Sequence, residues 1–392
     1  MAHTRSESVV LELTERDEIA MLRRSVHDIA HAFGHAEFAR LGREGAPATA
    51  LWRRLAEHGF LGVNIPERYD GGGLGLYELA IVEEEVSAAG CPMLPLLVSP
   101  GIAGTILTRH GSEEQKERWL RGIGDGGRHY AFAITEPDAG SNSHNLSLRA
   151  VRRGADWVLT GTKTYISGVE DCDGLLVMAR TGQPGERDAL SLFMIDPDVP
   201  GLERQHIDTI VQAPEQQWTL YFDGVVVSPD RMIGNPGEGM RLGFDGLNPE
   251  RILAAAICTG VGRYALEKAS AYANQRSVWG VPIGSHQGVA HPLAEAKIAM
   301  EAARLMTWKA ALLHDAGAPA GEASNMAKLL AADAGMLCLD RAIQAHGGNG
   351  LADEYGLADL WFIVRLLRIA PVSREMILNY VAQHSLGLPR SY

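Results

Sequence analysis

Cysteine is scarce and scattered. The four, Cys91, Cys172, Cys258 and Cys338, share no C-x-x-C spacing, so the sequence offers neither a zinc site nor a disulfide framework, and no metal is expected. They read as buried thiols in a reducing compartment. Positive charge is also short: 36 Lys and Arg face 48 Asp and Glu, a formal net charge of -12. That balance excludes a nucleic-acid binder that works by neutralising phosphates. No run approaches the roughly 18 apolar residues that span a bilayer. Met1 to Val10 has neither an apolar stretch nor an Arg-rich amphipathic pattern, so neither a secretory signal nor a transit peptide is expected, and the cytoplasm is the expected location. Internal repeats and low-complexity tracts are missing too.

What is present is a globular composition, 46% hydrophobic over 392 residues, enough for more than one core. Ile19, Leu22, Val26, Ile29 and Phe33 recur at spacings of three and four behind Thr14-x-x-Asp17, which predicts an amphipathic helix. Leu79, Val82 and Val86 predict another, ending at Gly90, and Ser112-Glu113-Glu114-Gln115 is a capping box opening a third. Glu83-Glu84-Glu85 reads most simply as a solvated helix face. The period then drops to two. Strands are predicted at 129–135, 146–151, 157–160, 175–179, 190–195 and 218–227. Helical periodicity returns at Asn248-Pro249-Glu250-Arg251, with Asn248 as N-cap and Pro249 at the first helical position. Long helices follow, with Gly280 and Gly347 where C-terminal caps belong. The expected architecture is α+β and multidomain: an N-terminal all-α domain (1–125), a middle β-barrel-like domain (126–242) and a C-terminal four-helix bundle (243–392).

Three segments can carry chemistry. Thr135-Glu136-Pro137-Asp138-Ala139-Gly140-Ser141-Asn142 leaves a strand into a turn of hydroxyls and glycines, a backbone that lets a ligand come close. In Gly161-Thr162-Lys163-Thr164-Tyr165-Ile166-Ser167-Gly168, Tyr165 and Ser167 share a face if the run is extended, and the ring can stack on a flat group. Gln344-Ala345-His346-Gly347-Gly348-Asn349-Gly350 ends a helix in glycines with free N–H groups. His346 itself reads as a packed turn residue.

Together with Gly237-Glu238-Gly239 and the Glu250-Arg251 pair, these segments resemble the acyl-CoA dehydrogenase flavoproteins, in the family's order and over essentially the whole chain. The resemblance implies FAD as cofactor and oxidation of an acyl-CoA, with electrons passed to an electron-transfer flavoprotein. It assigns Thr135, Gly140, Ser141 and Ser167 to the flavin and its phosphates, and Tyr165 to one flavin face, with Ser141 also touching the acyl-CoA. Arg276, Gln344, Gly347 and Gly348 match residues that reach the AMP half of FAD from a neighbouring subunit, so a homodimer or homotetramer is implied. Trp279 stands where the family usually has Phe. Ser373 and Glu375 fall in a cofactor-contacting turn, and Arg251 matches an arginine that supports substrate binding and activity.

One departure matters. The resemblance places Pro371 where most members carry the catalytic glutamate, and proline has neither a carboxylate nor an N–H. Isovaleryl-CoA and long-chain dehydrogenases instead use a Glu directly before the helix-start arginine. Glu250 matches that position and is the candidate base. A place in the first helical turn favours its ionised form, burial its neutral form, and the residues do not decide between them. The ribityl hydroxyl of FAD and the Val372 N–H are left to hold the thioester oxygen. Two other readings stay open: a flavin monooxygenase or oxidase on the same fold, and a partner subunit of a heteromeric dehydrogenase.

Overall fold

The structure, a computed structural model, describes residues 15–183, 186 and 189–390. The N-terminal part is helical: α1 (Asp17–Phe33), α2 (His35–Glu44), α3 (Thr49–Glu57), α4 (Leu76–Ala88), α5 (Leu94–Leu96), α6 (Thr105–His110) and α7 (Glu113–Gly124). A π-helical run, Leu97–Gly104, joins α5 to α6. The capping box at α7 forms as expected: Ser112 Oγ accepts from Gln115 N–H at 3.2 Å, and Gln115 Oε1 accepts from Ser112 N–H at 2.9 Å. Thr14, expected to open α1, lies outside the described residues.

The middle strands are β1 (Tyr130–Ala133), β2 (Arg149–Arg153), β3 (Asp156–Ser167), β4 (Gly174–Arg180), β5 (Leu190–Ile195), β6 (Leu202–Ile207), β7 (Gln217–Val227) and β8 (Met232–Ile233). They form an eight-stranded sheet in the order β6-β7-β3-β2-β4-β5-β8, with β1 laid parallel on β4. Strand alternation explains how the sheet joins two cores. Leu175, Val177, Ala179, Phe193 and Ile195 point into a core of the sheet's own, whereas Leu176, Met178, Leu190, Leu192 and Met194 point into the helical core. Trp157 on β3 meets Phe193 on β5 edge to face, ring centroids 5.9 Å apart, although β2 and β4 lie between them in the sheet. The sheet therefore rolls over its inner core. That is the barrel-like feature expected.

The C-terminal part consists of α8 (Gly239–Gln275), a hairpin of β9 (Ser277–Val278) and β10 (Val281–Pro282), α9 (Gln287–Asp315), α10 (Gly321–His346), α11 (Trp361–Ile369) and α12 (Arg374–Tyr380). Glycine lets the bundle close tightly. A Cβ on Gly260 of α8 would stand 2.4 Å from the Glu84 carbonyl oxygen on α4. The Gly237-Glu238-Gly239 motif seats α8 on β5: Gly237 N–H donates to Ser191 Oγ at 2.9 Å, and a Cβ on Gly239 would lie 2.5 Å from Ser191 Cα.

Three expectations are corrected. Asn248 is not an N-cap, because α8 starts at Gly239 and runs through Pro249. A proline costs a helix its N–H to the residue four back, and α8 accommodates that loss in its interior. Gly280 is not a helix cap. It follows Trp279 at the tip of the hairpin, and both residues adopt positive φ (53° and 82°), as a two-residue type I′ turn requires. Finally, Glu83, Glu84 and Glu85 are not solvated. They are 0%, 2% and 2% exposed, because α4 is buried nearly all round. Gly347, by contrast, ends α10 at φ 60° as expected, and the four cysteines are free and buried.

The charges of Glu84 and Glu85 are answered from elsewhere in the chain. Arg23 of α1 donates to Glu84 at 3.0 Å and to Glu85 at 2.5 Å, Arg263 of α8 reaches Glu85 at 2.5 Å, and Arg304 of α9 bonds Glu84. Although burial favours the neutral acid, these guanidiniums hold the Glu84 carboxyl down at about 2.

Candidate active site

Glu250 sits in the interior of α8, a turn and more beyond its start, so the helix dipole contributes little. Desolvation then decides. Protein packed round the half-buried carboxyl pushes it up to about 7, against the opposing pull of Arg251 and of Lys328 on α10. No hydrogen bond to the carboxyl contributes among the described residues. Arg251 is turned back along its helix. Its Nη1 donates to Asn248 Oδ1 at 3.1 Å and to the Leu247 carbonyl at 3.3 Å, while its buried Nε has no acceptor.

Lys328, which sequence reasoning missed, is 2% exposed and donates to the Val372 carbonyl at 2.6 Å. Burial lowers it to about 8. One hydrogen bond thus ties α10 to the turn that holds Pro371. Asp333 on the same helix takes Arg368 at 2.9 Å, where α11 ends, and also Arg374, where α12 begins. The Ser373 hydroxyl is engaged as the cap of α12, accepting from Met376 N–H at 3.3 Å, and Glu375 lies exposed in the first turn. The only sequence clue to Lys328 is a lysine within the Ala-rich periodicity of α10.

On the sheet, Thr135 and Tyr165 are brought together: Thr164 N–H donates to the Thr135 carbonyl at 2.9 Å. The register between β3 and β7 slips between Lys163 and Ile166, and Tyr165 within this bulge takes φ 55° with 62% of its surface exposed. A left-handed conformation is unusual for a bulky residue. The regular extended run that would set Tyr165 and Ser167 on one face is therefore absent, and Ser167 is half-buried, with Gln217 Nε2 donating to its Oγ at 2.8 Å. Gly140 and Ser141 lie exposed in the preceding loop, with nothing within 4 Å of the Gly140 Cβ position.

A buried ion pair joins these two segments. Lys163 Nζ donates to Glu136 Oε1 and to the Ile134 carbonyl, both at 2.8 Å. Glu136 also accepts from Ser147 and from the Leu148 N–H. Burial lowers Lys163 to about 8, while Glu136 stays below the usual carboxylate value despite its own burial, because of the lysine.

The second group of expected contacts gathers at the hairpin end of the bundle. Arg276 caps α8, Trp279 is 89% exposed at the hairpin tip, Gln344 lies in the last turn of α10, and Gly347 and Gly348 follow with open space around them. Asn349 Nδ2 bridges the hydroxyls of Tyr272 and Tyr355, and His346 is packed, stacked on Tyr272 at 4.2 Å. A cavity of about 550 Å³ lies elsewhere, between the N-terminal helices and the sheet, lined by Trp52, His129, Asp173 and Glu215 among others. It contains none of the candidate residues. Among the described residues no cluster of His, Cys, Asp and Glu is suited to a metal ion, and no helix is long and apolar enough to cross a membrane.

Models of the acyl-CoA dehydrogenase N-terminal, middle and C-terminal domains match residues 16–127, 131–225 and 237–386. Acyl-CoA dehydrogenase FadE12 of Mycobacterium tuberculosis (strain ATCC 25618 / H37Rv) is 47% identical over 381 residues, spanning 96% of this chain and 98% of its own. A glutaryl-coenzyme A dehydrogenase solved with glutaryl-CoA superposes with a TM-score of 0.92 at 28% identity, covering 97% of this chain and 98% of that one. The FAD complex of PigA gives 0.91 at 25%, covering 96% and 100%. With all three domain models matched in order and a relative 47% identical over nearly its whole length, this chain belongs to the acyl-CoA dehydrogenase family.

Proposed function

We propose that the chain is an FAD-dependent enzyme that desaturates an acyl-CoA thioester between its α and β carbons, with Glu250 as the base for the α-proton. The observation that carries this reading is the Glu250 carboxyl itself: half-buried and held at about 7, it is ready to accept a proton near neutral pH. The residues present fit the cofactor. Tyr165 offers an exposed ring for a planar partner, Gly140 and Ser141 an open loop, and Gly347 and Gly348 unobstructed backbone. FAD, when bound, supplies the acceptor for the β-hydrogen. Thr135, Gly140, Ser141, Tyr165 and Ser167 hold the flavin side, while Arg276, Trp279, Gln344, Gly347 and Gly348 of a second copy, with Ser373 and Glu375, complete the site. The assembly is thus a homodimer or a pair of such dimers, and an electron-transfer flavoprotein takes the electrons onward.

The chain's own chemistry is proton removal and charge support. As Glu250 takes the α-proton, negative charge grows on the thioester oxygen and needs donors. Pro371 offers none. The Val372 N–H has no protein acceptor among the described residues and is left for that task, and the unpaired Arg251 Nε, on the residue after Glu250, is a further donor.

Anaerobic mixing with a panel of acyl-CoAs of varied length and branching tests the reading. Bleaching of the flavin by at least one thioester, abolished in Glu250→Gln, supports it. Pro371 favours one second reading, an oxidase or monooxygenase that dispenses with the base. Oxygen uptake driven by external reduced flavin, with no bleaching by any thioester, establishes that alternative.

A further inference from the structure

The turn that carries Pro371 has lost the carboxylate expected there, yet α10 grips it at three points. Lys328 bonds the Val372 carbonyl at 2.6 Å, and Asp333 holds Arg368 on one flank and Arg374 on the other. So firm an attachment is unexplained if the turn is only a connection between α11 and α12. Lys328 lies on α10, which packs along α8, and with Arg251 it is one of two positive charges whose field acts on Glu250; it is almost wholly buried, so water screens it poorly.

We propose that Lys328 is a positioning residue for the reaction: it pins the Val372 peptide group against α10 and adds a buried positive charge on the helix that packs along the one carrying Glu250. This rests on Glu250 being the base. The charged and titratable groups bearing on the pair are Arg251 and Cys258 from α8, Asp333 from α10 and Tyr380 from α12. Arg251 and Lys328 favour the ionised base, and Asp333 is engaged with two arginines of its own. Removing the lysine charge leaves burial less opposed, so the base gives up its proton only at higher pH. No new bond or cofactor is required. Lys328 does not touch the reacting atoms and acts only through Glu250 and the turn.

The test is the pH dependence of substrate-driven flavin bleaching in the holoenzyme under anaerobic conditions. In Lys328→Met the acid limb should move up by about one pH unit, making bleaching roughly fivefold slower at pH 7, about tenfold slower in more acid solution, and recovering as pH rises. Lys328→Arg keeps the charge and should leave the limb where the wild type has it. If the methionine variant does not accumulate with flavin bound, Lys328→Gln carries the same measurement. A variant slowed by one factor at every pH, with the acid limb unmoved, shows a merely structural lysine and overturns the proposal. Glu250→Gln separates the two ideas. If that variant still bleaches, the base assignment fails; if it is dead while Lys328→Met keeps the wild-type limb, only the role of Lys328 fails.

Discussion

At Glu250 burial and charge pull in opposite directions, and burial wins, leaving the carboxyl at about 7. A base must be ionised to act, so bleaching by substrate should be slow in mild acid and rise as pH passes through 7, reaching a plateau above it. Glu250→Gln should lose roughly a hundred- to ten-thousand-fold in the bleaching rate across the whole range, read by stopped-flow absorbance. The sequence named this residue but set it in a first helical turn. It could not show that Gly239 starts the helix early, because Gly239, Gly243 and Gly246 lower helix propensity before Pro249 and disguise the first turns. Their small size is what those turns need: a Cβ on Gly246 would press on Ile106 at 2.8 Å. Lys328 was invisible for a different reason. A lysine in a helix is ordinarily solvent-exposed, and only the packing of α10 on α8 reveals it to be buried.

Among the elements, α4 shows how far pattern reading goes and where it stops. Leu79, Val82 and Val86 marked the helix correctly, but three consecutive glutamates looked wet because the arginine partners of Glu84 and Glu85 lie far away in the chain, at Arg23, Arg263 and Arg304, while burial keeps Glu83 toward its neutral form. Removing one partner of such a pair strands the others, at about 3–5 kcal/mol. Glu84→Ala should therefore unfold at clearly lower denaturant than wild type in equilibrium urea titrations, whereas Glu113→Ala, on the exposed face of α7, should change little. Strands followed the same logic. β4 and β5 were legible because both their faces are buried and their sequences are continuously apolar. The strand β6 went unread, since Leu202-Glu203-Arg204-Gln205-His206-Ile207 is a polar edge strand with its charges turned to water. The helix α11 has clear apolar periodicity but sits between short turns, and it was passed over.

At the scale of the whole molecule, the helical and sheet parts are joined by alternating faces of β4 and β5, and two buried acids belong one to each part. Glu83 on α4 and Glu215 just before β7 oppose each other electrostatically; burial raises both, Glu215 to about 8. Between the ordinary carboxylate value of 4.5 and about 8, the folded chain keeps a proton on Glu215 that the unfolded chain has released. Stability should therefore fall as pH rises through that window. Glu215→Gln should lessen the fall, leaving the part due to Glu83, and should melt a few degrees above wild type near pH 8.5, by scanning calorimetry. Trp279 works at the same scale. It is 89% exposed, so Trp279→Ala should leave the melting of the flavin-free subunit unchanged while lowering the ratio of FAD to chain in the purified enzyme.

The placing of that indole at an exposed hairpin tip, on a different element from the bulged Tyr165 strand, has an outcome at the bench. In the proposed two-copy site, a chain altered only at Glu250 would still lend a sound hairpin, and a chain altered only at Trp279 would keep a sound proton acceptor. Co-refolding the two impaired variants should regenerate one working centre in every mixed pair. Complementation of this kind would recover up to half of native turnover per mixed pair, from two preparations that show none or little alone.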